Sequence, residues 1–207
     1  MKSAAPLASA LTAAAQAIAA VIGGRNLDEA LAAQELAGTL RAATQNLAYG
    51  ALRRYGRGDF LLGRLIPRPL THAVVRGLLL AAFHRLEERP EDAHTTVDQA
   101  VRAAAGIAGG KFKGLVNGVL RNFLRRREEL EAAADGDDIA RWQHPRWWLD
   151  RLITAYPERW QAVAAAGNGH PPMCLRVNRR RGDAAAYLAE LGAAGIAGRA
   201  LDDAAVL

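Results

Sequence analysis

Residues Lys111–Leu130 read KFKGLVNGVLRNFLRRREEL, and the two faces of this run set the terms for the rest of the chain. Phe112, Leu115, Val116, Val119, Leu120, Phe123 and Leu124 recur at alternating steps of three and one, which gathers them on one face of an α-helix. Lys113, Asn117, Arg121 and Arg125 recur every four residues and fall on the opposite face, with Lys111 just ahead of them. Gly114 and Gly118 share that polar side, where each costs about 1 kcal/mol of helix propensity relative to Ala. Their presence predicts that something approaches the backbone closely there. Two readings follow, a core helix with a solvated basic back and a nucleic-acid contact helix.

The composition bounds the answer. With 207 residues, 51% of them hydrophobic, the chain is long enough for one sizeable core or for a medium domain with a smaller appendage. Lys and Arg number 27 against 21 Asp and Glu, a formal charge of +6 that favours a polyanionic partner. The single cysteine, Cys174, excludes an internal disulfide and a multi-cysteine zinc site, and it fits a reducing cytoplasm. No apolar run approaches the roughly 20 residues needed to span a bilayer, so no membrane association is expected. The opening MKSAAPLASALTAAAQAIAAVIGG has the charge order of a signal peptide. Thr12 and Gln16 interrupt its apolar run, however, while Leu7, Leu11, Ile18 and Val21 recur at helical intervals, so it reads as a first helix ending at Gly23–Gly24.

A short helix follows, capped by Asn26 and started by Asp28 and Glu29 at the positive end of its dipole. Thr39–Tyr55 forms a longer one, with Leu40, Leu47, Ala48, Ala51, Leu52 and Tyr55 inward. Arg53, Arg54 and Arg57 cluster where this helix runs into a Gly56–Asp59 turn; the negative end of the helix dipole accounts for most of the cluster, and a phosphate contact is the alternative. The run FLLGRLIP adds a helical piece that Pro67 and Pro69 terminate. Leu70–Glu88 carries Val75, Leu78, Leu79, Ala82 and Leu86 inward, while His72 and His84 lack metal-ligand spacing and read as surface or interface residues. Thr95 or Thr96 can cap the next helix, with Asp98 completing a capping box.

Composition changes after Glu131. The segment AAADGDD is small, acidic and flexible, which places a boundary near residues 132–139. All four tryptophans follow, between Trp142 and Trp160. His144–Pro145 and Pro157 open two helices. MCLRVN then reads as a strand in which Leu175 and Val177 take one face and Arg176 and Asn178 the other. Arg179, Arg180 and Arg181 extend the basic run, Asp183 caps a further helix that Gly195 can end, and GRALDDAAVL turns into a strand. Arg and Asn alternating on an exposed strand face can hold phosphates and splayed bases. A solvated edge strand kept soluble by charge is the competing reading.

Three segments, GLVNGVLRNFLRR at 114–126, HPRWWLDRLITAYPERW at 144–160 and NGHPPMCLRVNRR at 168–180, together resemble the N-terminal part of the Sun/Fmu family of small-subunit ribosomal RNA cytosine-C5 methyltransferases. The resemblance covers nearly the whole chain and is weakest over the first 35 residues or so. It implies a mainly α fold: a NusB-like helical, RNA-binding bundle over residues 1–135, followed at 136–207 by the start of a small α+β linking subdomain. It further implies that the S-adenosylmethionine loop and the catalytic cysteines of the parent lie downstream of Leu207.

No catalytic, cofactor or metal residue is therefore expected in this stretch. Cytosine C5 methylation needs a thiolate that adds to C6, and Cys174, where the family usually has an aromatic residue, reads as a packing residue. What carries over is RNA binding. Lys111, Lys113, Asn117, Arg121 and Arg125 form one candidate set, and Arg176, Asn178, Arg179, Arg180 and Arg181 the other. The expected partner is small-subunit ribosomal RNA. A protein partner held by the bundle, as in NusB-type antitermination, is the alternative. NusB carries an arginine-rich N-terminal segment, whereas this chain is uncharged from Ala4 to Gly24, which weakens a simple transfer of that RNA site.

Overall fold

The computed structural model describes residues 6–169, 173–202 and 205–206. Backbone contacts divide the chain into two compact units, residues 1–165 and 166–207. The first unit is all helical: α1 (Leu7–Ile22), α2 (Leu27–Ala32), α3 (Gly38–Arg53), α4 (Tyr55–Leu65), α5 (Ala73–Glu88), α6 (Ala93–Ala105), α7 (Lys113–Arg125), α8 (Arg127–Asp135), α9 (Asp138–Trp142) and α10 (Arg146–Ala155), with α11 (Trp160–Asn168) running across the division. Among the described residues no helix is long and apolar enough to cross a membrane.

The centre of this unit is α1 against α5. Helix α1 buries Ala10, Leu11, Ala14, Ala15, Ala17 and Ile18 completely, because alanine combines the highest helix propensity with a side chain small enough to let neighbours close in. On α5, Gly77 meets that surface: a Cβ there would overlap the Ala15 carbonyl oxygen. Helix α5 is buried on every side, Leu80, Phe83 and His84 as well as the expected stripe, since α1, α3, α4, α6 and α7 all pack on it.

Helix α7 keeps its predicted register. Val116, Val119, Leu120 and Phe123 are buried, Phe112, Leu115 and Leu124 lie half-buried against the same core, and the Phe123 ring sits 5.1 Å from Phe83. Burying a side chain of this size stabilises the fold by about 1.5–3 kcal/mol, and a tilted aromatic pair adds about 0.5–1.5 kcal/mol. The turn before α7 uses Gly109 and Gly110, at φ +64° and +80°, where a Cβ would be strained.

Several local expectations hold. Helix α1 stops at Gly23, and Asn26 caps α2 by accepting the Asp28 N–H at 2.8 Å. Others are corrected. Gly56–Asp59 is not a turn but the first part of α4. Thr95 and Thr96 lie inside α6, which a 3₁₀ turn at Pro90–Asp92 leads into, so neither caps it. His84 is buried, not a surface residue, and His72 caps α5, its Nδ1 facing the Val75 N–H at 3.4 Å. Lys111–Leu130 spans two helices, broken at Arg126. AAADGDD is ordered: Ala132–Asp135 completes α8, and Asp137 caps α9 by accepting the Ala140 N–H at 2.9 Å.

The second unit is small. It holds β1 (Leu175–Arg176), α12 (Ala184–Ala193), β2 (Ala200–Asp202) and β3 (Ala205–Val206) in an antiparallel sheet of order β1-β3-β2. Leu175 pairs with Val206 and Arg176 with Ala205, and the β2–β3 register shifts between Ala200 and Asp202. Val177, Ala184 and Val206 make the core, joined by Leu175, Tyr187, Leu188 and Leu191. The period-two reading is met, with Leu175 and Val177 inward and Arg176 and Asn178 exposed. Cys174 is exposed rather than packed. His170–Pro172, part of the third resembling segment, lie outside the described residues.

Candidate nucleic-acid interface

Helix α7 presents its basic residues to solvent, where the apolar stripe on the other side leaves them. Lys111, Lys113, Arg121 and Arg125 are exposed and Asn117 is half-buried. Amide oxygens, not carboxylates, hold the guanidiniums: Arg121 Nε donates to Asn117 Oδ1 at 3.1 Å and Arg125 Nη2 to Asn122 Oδ1 at 2.8 Å. Lys111 Nζ lies 5.0 Å over the Phe112 ring. Such contacts orient a cation without neutralising it. Gly114 and Gly118 are not close-packing positions, because a Cβ at either would meet nothing within 4 Å. Among the described residues nothing makes the expected approach to the backbone at these glycines.

Beside that face runs a groove of about 470 Å³ between α6 and α7. Val97, Val101 and Leu124 contribute apolar surface, while His94, Asp98, Asn117 and Arg121 contribute polar groups. Asp98 pairs with Arg102 at 3.0 Å.

The Arg53–Arg57 cluster has a different role. Arg57 is buried, its Nε donates to Glu87 Oε1 at 2.8 Å, and its Nη1 donates to Asp135 Oδ1 at 2.7 Å, so it ties α4 to α5 and α8. Burial opposes its charge, but the hydrogen bonds to Glu87 and Asp135 outweigh burial and raise its pKa above the usual guanidinium value. Arg54 adds a second contact to Glu87 at 3.3 Å. Neither the helix dipole nor a phosphate explains Arg57. Close by, His84 Nε2 lies 3.4 Å from Glu88 Oε2, yet burial, aided by Arg54, lowers the His84 pKa against the pull of Glu88 and Glu87. The imidazole is neutral near pH 7.

In the second unit, Arg176, Asn178 and Arg181 line a cavity of about 550 Å³ together with Asp183, Tyr187 and Glu190. Asn178 builds its rim: its carbonyl oxygen accepts the Arg181 N–H at 2.8 Å and its Oδ1 accepts the Arg180 N–H at 3.1 Å. Asp183 caps α12 by accepting the Ala186 N–H at 2.8 Å. Arg179 and Arg180 are exposed on the same turn. The two predicted sets thus belong to different units, each gathered locally. Sequence reasoning missed His94, Tyr187 and Glu190, which only the packing of α6 on α7 and of α12 on the sheet brings to these sites.

Two stretches of the chain match known families. The NusB family model matches residues 8–125 of the 207, more than half of the chain. The chain belongs to the NusB family. Beyond this NusB bundle, residues 144–206 match the Methyltr_RsmF/B-like, ferredoxin-like domain. Among curated relatives, the chain is similar to the ribosomal RNA small subunit methyltransferase B of Pseudomonas putida, 41% identical over 89% of this chain and 43% of the relative. It is likewise similar to the proteins of that name from Shigella flexneri, 39% identical over 89% of this chain and 44% of the relative, and from Escherichia coli, 38% identical over the same shares. The chain spans less than half the length of these relatives. A NusB bundle followed by a small α+β unit is the architecture the sequence resemblance implied.

Proposed function

We propose that this chain binds and positions small-subunit ribosomal RNA for an S-adenosylmethionine-dependent cytosine-C5 methyltransferase, of which it is the N-terminal region. Residues 1–135 act as the RNA-binding bundle and residues 136–207 lead towards the catalytic domain. The observation that carries the reading is the pairing state of the cations. Lys111, Lys113, Arg121, Arg125, Arg176, Arg179, Arg180 and Arg181 form no ion pair among the described residues, whereas Arg57, Arg76, Arg85 and Arg127, which hold the fold, are all paired with carboxylates. Unpaired cations keep their full charge for phosphate and release condensed counterions from the RNA when they bind it. The names of the relatives support ribosomal RNA as the polyanion.

The residues present do not fit S-adenosylmethionine: among the described residues no strand runs through a Gly-rich loop into a helix, and Cys174 is exposed. Cofactor binding and methyl transfer belong to the part of the relatives that this chain does not span. Fluorescence titration with a small-subunit RNA hairpin across a salt series tests the reading. Binding at low salt that weakens steeply with added salt is expected, and undetectable or salt-independent binding refutes it.

The α6–α7 groove supports a second reading. Its Val97, Val101 and Leu124 surface suits an apolar segment of a protein partner, with Arg121 and Asp98 at the rim. Retention of a protein partner by the immobilised chain, with no RNA retained, would favour this second reading over the first.

A further inference from the structure

The cavity of the second unit has a composition that a simple phosphate site does not need. Two guanidiniums, Arg176 and Arg181, and two carboxylates, Asp183 and Glu190, line one space of about 550 Å³, and none of the four is paired within 4.0 Å of another. Opposite charges that could collapse together are instead held apart. Asn178 fixes the arginine-bearing turn through its carbonyl and Oδ1, and the α12 cap Asp183 is followed at steps of four and three by Tyr187 and Glu190 on the helix. The volume lies in the ordinary range of small-ligand sites, about 300–1,000 Å³.

We propose that this cavity takes one splayed nucleotide of single-stranded RNA and selects guanine. The inference rests on the RNA-binding reading and goes beyond it by assigning a base-reading role. A ligand that fills the space must bring an anion to Arg176 and Arg181 and hydrogen-bond donors to a carboxylate; a nucleotide does both through its phosphate and its base. Asp183 spends one oxygen on the Ala186 N–H, which leaves Glu190, its side chain exposed and without a partner among the described residues, as the free acceptor. Guanine presents two adjacent donors, N1–H and the N2 amino group, that match the two oxygens of one carboxylate. Cytosine and adenine offer a single amino group, and uracil flanks its one N–H with oxygens that a carboxylate repels. Tyr187 is half-buried against the Val177–Val206 core, which holds its ring in place, and it lines the cavity as a stacking surface.

Fluorescence anisotropy of the whole chain with labelled single-stranded heptamers, seven uridines against the same strand with a central guanosine, tests the assignment. The guanosine strand is expected to bind about tenfold tighter, the size of one good bidentate base contact. Replacing guanosine by inosine, which lacks the amino group, should remove most of that gain. Glu190→Gln should erase the preference, lowering guanosine-strand affinity about tenfold relative to the uridine strand, and Tyr187→Leu should weaken both strands about tenfold through the loss of stacking. Tyr187→Leu can loosen the small core it packs against, whereas Glu190→Gln changes only an exposed side chain and decides the matter alone. Equal affinity for the two strands with salt dependence intact, or a guanosine preference that survives Glu190→Gln, overturns the pocket and spares the RNA reading. Absence of binding to either strand at low salt overturns both.

Discussion

Replacing Arg57 by Met should cost the first unit about 3 kcal/mol, and the structure shows where that figure comes from. Arg57 and Glu87 have side chains only 10% and 7% exposed, whereas Asp135 is 67% exposed. The Asp135 contact faces water and contributes less than about 1 kcal/mol. The Glu87 contact is desolvated, and removing one partner of a buried ion pair costs about 3–5 kcal/mol because the other charge is stranded. Arg54, 3.3 Å from the second Glu87 oxygen, remains and holds the loss near the lower end. All four tryptophans lie between Trp142 and Trp160, so their fluorescence in a urea titration reports on the first unit. With a urea slope of about 2 kcal/mol per molar, the midpoint should fall by about 1.5 M. The double variant Arg57→Met, Glu87→Met leaves no stranded charge and should recover at least half of the loss. A midpoint shift under about 0.3 M, or a double variant no better than the single, refutes the reasoning.

Gly114→Ala with Gly118→Ala should stabilise the chain by up to about 2 kcal/mol, since a Cβ meets open space at both positions; thermal unfolding reads the gain, and a loss of stability would mean the α7 face is covered. In the same variant, RNA affinity should drop, because the added methyl groups stand between a phosphate backbone and the helix. Lys113→Ala with Arg121→Ala should leave stability unchanged and make the salt dependence of RNA binding shallower, by about 0.7–0.9 in the log–log slope for each phosphate no longer neutralised. His84, which faces Glu87, Glu88 and Arg54, has a folded pKa below its unfolded value of about 6.5. The unfolded chain therefore binds the extra proton in that window, and the stability present above about pH 6.5 declines as the pH falls below it. Urea midpoints at pH 7.5 and 5.5 should show this decline in the parent and less of it in His84→Gln.

What the sequence discloses and conceals follows from the range of each interaction. The α7 stripe, the Asn26 and Asp183 caps and the strand parity at Leu175–Asn178 depend on residues a few positions apart, and all are legible in the linear order. The α1–α5 centre is not, because alanine carries a weak hydrophobic signal and its value there lies in letting Gly77 reach the Ala15 carbonyl. Arg57 misleads for the same reason. Its neighbours in sequence suggest a helix-dipole cation, while its partners, Glu87 and Asp135, are 30 and 78 positions away. AAADGDD has the composition of a linker, yet Asp135 closes that ion pair and Asp137 caps a helix. In the candidate sites the cations are visible as charge, but Tyr187 and Glu190 sit on an alanine-rich helix with no pattern to mark them until the Asn178 turn sets Arg176 and Arg181 around the same cavity.

The arginines of this chain are sorted by what surrounds them. Arg57, Arg76 and Arg85 bridge elements of the bundle to carboxylates, and their side chains are 10–24% exposed. There the ion pair holds two segments together, and its geometry leaves no charge to offer a ligand. On α7 the partners are Asn117 and Asn122, and on the β1–α12 turn the organising group is again an asparagine, Asn178. An amide can fix a side chain or a turn while contributing no net charge, so the guanidiniums beside it are oriented and remain fully cationic. A carboxylate in the same place would give comparable order but would compete with every phosphate that approached. On the RNA-binding reading, Asn rather than Asp at Asn117, Asn122 and Asn178 leaves the neighbouring cations free for phosphate, which makes Asn117→Asp a sharper probe of RNA binding than removal of any single arginine.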